Sequence, residues 1–129
     1  MFLAHTPAEQ ADQLAAAVVG AARDPNGWCS EFQPHFLSLI FHELLEVDID
    51  FQSIPGLSVE EAGLMFPDPL QRRELIELLV LTEMMVNPIP TELQRSLEHW
   101  AEQLDVQDRS LVLARDVASH ARAQAQSDF

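Results

Sequence analysis

An all-α fold is what this chain predicts, and three observations carry the prediction. Hydrophobic residues fill 47% of the 129 positions, an ordinary share for a folded domain. Glycine occurs only 4 times and tyrosine not at all, whereas Ala, Leu, Glu and Gln abound; strong helix formers dominate, and the β-branched and aromatic runs of strands are missing. Apolar residues also recur at three- and four-residue spacing behind readable helix-start signals. The length suits one hydrophobic core, so a single compact bundle of five to six helices spanning 1–129 is expected.

Each element has its own start and stop. Thr6-Pro7-Ala8-Glu9 reads as a capping box with Pro at the first helical position, which predicts a first helix from about Pro7 to Arg23. Its stripe of Ala11, Leu14, Ala15, Val18 and Ala22 is thin, so loose docking is expected, and its small-residue face is a candidate homodimer surface. Asp24-Pro25-Asn26-Gly27 forces a turn. Ser30, with Gln33 three residues on, opens a second helix that tolerates Pro34 in its first turn and runs to about Val47. Ser58 and Glu61 start a short third helix that must stop before Phe66-Pro67. Asp68-Pro69 caps a fourth, apolar nearly all round through Leu75, Ile76, Leu78, Leu79, Val80 and Leu81, as befits the centre of a bundle.

Asn87-Pro88-Ile89-Pro90 then breaks the chain. A fifth helix from about Thr91 to Leu104 follows, with Leu93, Leu97, Trp100, Ala101 and Leu104 on one face. Asp108 caps a sixth helix bearing Leu111, Ala114, Val117, Ala118 and Ala121, and the tail 123–129 is expected to fray.

Composition narrows the partners. Asp plus Glu number 21 against 7 Lys plus Arg, a formal charge of -14. Such a surface repels nucleic-acid phosphates and anionic lipid headgroups, so neither nucleic acid nor membrane is expected, and a basic protein partner suits it. The one cysteine, Cys29, rules out an internal disulfide and is expected to be a buried or half-buried thiol. No stretch approaches the roughly 18 apolar residues of a bilayer span. Without the basic and apolar segments of a signal peptide at its start, the chain is expected in the cytoplasm.

The hairpin Leu75–Val106 resembles that of the TerB-like (tellurite-resistance) domain, in the branch of uncharacterised bacterial members. Ile89 matches the apolar loop residue, Glu92 the helix-start acid, and Leu97, Ala101, Leu104 and Val106 the later pattern. The lead-in Ser58–Arg73, with Phe-Pro-Asp-Pro and Arg-Arg, fits the same family, and the likeness spans about 59–118. It implies a helical regulatory module of the stress-response kind, TerB-like in the second half of the bundle. It does not carry over the family's cation-binding loop. Val86-Asn87 stands where the family has acidic ligands, and a hard cation needs several oxygen donors.

Two constellations are candidates for function. Met84, Met85 and Ile89 at the hairpin tip, with Trp100 on the facing helix, offer thioether and aromatic surface for a partner, rimmed by Arg72, Arg73 and Arg95. On the second helix, Glu31, His35, His42 and Glu46 share one strip about 60° wide, a candidate metal or acid–base set. His35 and His42 lie about 10.5 Å apart along the axis, too far to share one metal ion; each Glu–His pair is half a site needing ligands from elsewhere, such as Asp48, Asp50 or His99. The plain alternative is a solvated strip. No nucleotide loop or nucleophile motif is present, so no cofactor is expected and the expected function is a non-catalytic interaction module, with a metal-dependent protein as the alternative.

Overall fold

The structure, a computed structural model, describes residue 3 and residues 5–23, 27–86 and 89–106. A 3-10 turn, Ala8–Gln10, leads into α1 (Ala11–Ala22), followed by α2 (Phe32–Leu45), α3 (Val59–Met65), α4 (Pro69–Glu83) and α5 (Thr91–Gln103), with no strand among the described residues. The fold is all-α. The proposed sixth helix and the tail lie outside the described residues.

The helix ends follow local chemistry. At α3 the capping box is complete: the Ser58 hydroxyl accepts from the Glu61 N–H, and the Glu61 carboxylate accepts from the Ser58 N–H. Asp68 caps α4 by accepting from Leu70 N–H at 2.9 Å, with Pro69 at the first position. At α2, the Ser30 hydroxyl accepts from Phe32 N–H and the Gln33 side chain accepts from Ser30 N–H, both at 3.2 Å. This helix stops at Glu46, which takes a left-handed conformation (φ 56°) while its N–H and that of Val47 return to His42 and Phe41.

The first helix departs from expectation at its start. Pro7 sits before the 3-10 turn with no side-chain cap, and Thr6 is committed elsewhere. Its hydroxyl donates to Glu74 at 2.9 Å, and His5 N–H donates to both oxygens of the same carboxylate. Gln71 adds bonds to the His5 carbonyl and the Gln10 side chain. A buried carboxylate thus staples the entering strap to α4, satisfied by two donors, one of them shared between its oxygens. Beside it, burial and then the charge of Glu74 push the Glu77 carboxyl above the usual range.

α1 is the larger correction. It does not dock loosely; it packs against α3, α4 and α5, and it buries Leu14, Ala15, Ala17 and Val18 completely, with Ala11, Val19, Ala21 and Ala22 nearly so. Its small-residue face is therefore inside the bundle and unavailable for a dimer. Close approach explains the arrangement: Leu57 N–H donates to the Ala16 carbonyl at 2.9 Å, and Gly56 lies against Gly20, so the loop after α2 runs directly over the helix backbone. Arg23, at the end of α1, ties the same loop down through the carbonyls of Phe51, Gln52 and Ile54. Phe51 plugs the core edge-on to Phe41, ring centroids 5.0 Å apart.

α4 is central as expected, flanked by α1, α5 and α2. α4 and α5 pack on one another across the proline-containing connection, and Leu93, Leu97, Trp100, Ala101 and Leu104 all join the core. Arg72 does not rim a groove. Its guanidinium donates to the carbonyls of Phe66 (2.6 Å), Gly63 (2.9 Å) and Leu104 (3.1 Å), locking the ends of α3 and α5 to α4. Replacing it by Met keeps the aliphatic stem but removes all three donors, and about 2 kcal/mol of stability is expected to go with them, read as a lower urea midpoint.

Candidate interaction surface

Trp100 is only 5% exposed, so of the hairpin-tip set it belongs to the core and presents no contact surface in this fold. Met84 and Ile89 are half-buried and packed against that core, and Met85 is half-buried beside them. The four residues do not make an open hydrophobic patch. Arg73 and Arg95 are exposed nearby in sequence, while Arg72 is spent on backbone carbonyls.

The strip on α2 is where the wheel placed it: Glu31, His35, His42 and Glu46 are all exposed. One link forms, between His42 Nδ1 and Asp48 Oδ1 at 2.9 Å, rather than the His42–Glu46 pair that the spacing offers. The left-handed turn at Glu46 explains the choice, because it swings the chain back and brings Asp48 alongside the last turn of α2. Asp50 is occupied in its own turn, accepting from Ser53 at 2.7 Å and Gln52 at 3.0 Å, bonds that hold its carboxyl below the usual range. Among the described residues no three His, Cys, Asp or Glu side chains gather closely enough to hold a metal ion.

The Asp48 hydrogen bond, and then its charge, raise the His42 pKa above the ordinary 6.5. Protonated His42 is thus favoured in the folded state, so the link contributes stability below pH 6.5 and loses it as pH rises through the folded value. An NMR titration is expected to give His42 a midpoint above 6.5, with Asp48→Asn moving it back down; an unchanged midpoint in the variant would discard the link.

Cys29 is exposed, not the buried or half-buried thiol expected. It borders a cleft of about 350 Å³ between the end of α1 and the start of α5, with Gly20, Arg23, Glu92, Leu93 and Ser96 among the walls. Arg23 and Ser96 are both committed to backbone carbonyls there, Ser96 to Ala21 at 2.6 Å.

Sequence reasoning missed the outer face of α2. Leu37, Phe41 and Leu45 turn inward and are buried with Gln33 and Pro34. Phe32 remains 71% exposed and Leu39 51%, with Phe36 half-buried between them. The helix is apolar on two sides, and the fold uses one. The signal was present in the near-continuous apolar circumference of α2, more than one buried side can use. Other large apolar side chains stand outside at the α3–α4 corner, namely Leu64, Met65 and Leu70.

The class so defined is an all-α bundle that carries an exposed apolar helix face beside a polar strip among the described residues. The chain matches no protein-family model, no curated protein and no solved structure. No helix among the described residues is long and apolar enough to cross a membrane.

Proposed function

We propose that this chain is a non-catalytic protein-interaction or regulatory module of the cytosol, TerB-like in its second half. The observation that carries the reading is the set of large apolar side chains left outside a well-filled core: Phe32, Leu39 and Leu44 on α2, and Leu64, Met65 and Leu70 at the α3–α4 corner. Single exposed hydrophobics are ordinary, but grouped ones mark sites of association. The packing of α4 against α5 across a proline-containing connection supports the TerB-like part.

The test is chemical crosslinking and affinity capture with the intact chain from its native cytosol. Two surface variants serve as comparators, Phe32→Ser/Leu39→Ser and Leu64→Ser/Leu70→Ser. A partner captured in stoichiometric yield and lost with one pair, at unchanged thermal stability, is the expected result. Identical capture by wild type and both variants would end the reading.

A further inference from the structure

We infer that the outer face of α2 seats an amphipathic helix whose apolar stripe is edged by Lys and Arg. This rests on the interaction reading above and goes further by naming the face and the chemistry of its occupant.

Phe32, Phe36 and Leu39 stand at positions i, i+4 and i+7, so they form one row about 60° wide along the helix. That spacing matches the anchors by which a helix lies along another helix. The row points away from the core, since Leu37, Phe41 and Leu45 occupy the buried side. Neither Phe32 nor Phe36 belongs to the core that the described residues form.

Charge selects the occupant. One edge of the row is the strip of Glu31, His35, His42 and Glu46, and Glu43 continues the row itself at its C-terminal end. All five are exposed. Between Arg23 and Arg72 the chain holds nine Asp or Glu and not one Lys or Arg, and among the described residues the one ion pair on this face is His42–Asp48. A partner with Lys or Arg flanking its own apolar residues meets the acids on one edge and the aromatic row at the centre. Because the acids line one edge only, they also fix which way the partner lies.

A second copy is a poorer fit. Two chains of formal charge -14 repel, and an α2–α2 pairing brings glutamates together with only His35 and His42 to offset them. Anionic lipid meets the same repulsion. A footprint of three anchors is small, so the affinity belongs in roughly the micromolar range rather than the nanomolar.

The experiment uses the full chain, isotope-labelled, and two synthetic peptides of about five helical turns. Both carry the same leucine stripe, one flanked by Lys and Arg and the other by Glu. The basic peptide is expected to bind one-to-one and saturably, with NMR shifts centred on Phe32, Phe36 and Leu39. Phe32→Ala/Leu39→Ala should weaken it about tenfold or more, as loss of central anchors does. Glu43→Gln/Glu46→Gln, or a rise from about 50 to about 300 mM salt, should weaken it several-fold by removing or screening the rim. Equal binding of the acidic peptide, shifts centred elsewhere, or indifference to the Phe32/Leu39 variant would overturn the proposal. So would sedimentation showing a dimer that Leu39→Glu dissociates, which gives the face to a second copy. Those failures stay distinct from failure of the broader reading, because capture lost only with the Leu64/Leu70 variant leaves an interaction module that uses its other corner.

Discussion

Truncating Trp100 to Ala should lower the stability of the folded chain by about 3–5 kcal/mol, the range for removing a large aromatic from a packed core. The side chain is 5% exposed and lies on the face of α5 with Leu93, Leu97 and Ala101, all buried. α5 contributes to packing against α1, α3 and α4, so the cavity opens where several helices meet. A loss of that size is a large part of the 5–15 kcal/mol that roughly bounds most domains, and the variant is expected to unfold at much lower urea with an unchanged slope. The measurement separates two roles for the residue. A Trp100→Ala chain that keeps its urea midpoint would place the indole at a contact surface and contradict its burial.

Gly20→Ala should be destabilising by about 2–3 kcal/mol, the opposite sign from helix propensity, which alone favours Ala by about 1 kcal/mol. Gly20 lies inside α1, where a Cβ would fall 1.9 Å from the Leu57 carbonyl oxygen and 2.9 Å from the Leu57 nitrogen. Both are backbone atoms, so no rotamer change can relieve the overlap. The loop has to lift, which breaks the Leu57 N–H bond to Ala16 and pulls on the carbonyls that Arg23 holds. Thermal unfolding decides between the two signs. A melting temperature raised by the substitution would mean the loop does not run over the helix backbone as described.

These two positions show how much of the architecture was readable beforehand. Trp100 was correctly placed on the buried-type face of α5 by its spacing, yet it was also offered as a partner contact, because periodicity says which residues share a face and not whether that face ends in core or interface. Gly20 gave no signal. A glycine inside a helix pattern is a cost on propensity, and only the crossing loop explains it. The candidate site divides the same way. The α2 strip was legible as a strip, but the His42–Asp48 link depended on the turn at Glu46, a non-glycine residue in a conformation that sequence gives little reason to expect.

What the sequence determined by itself is where α2, α3 and α4 begin and which residues lie together on each rod. Ser58 with Glu61, Asp68 with Leu70, and Ser30 with Gln33 act across two to three residues, so their chemistry is local and survives without knowledge of the fold. Tertiary structure alone decided how deeply α1 is buried and which side of α2 faces water. The thin stripe of α1 pointed to loose docking; packing decided otherwise, because alanines and Gly20 let neighbouring backbones come close enough to bury α1 almost entirely. Packed against α4, α2 keeps one side covered, and Phe32 and Leu39 stay outside.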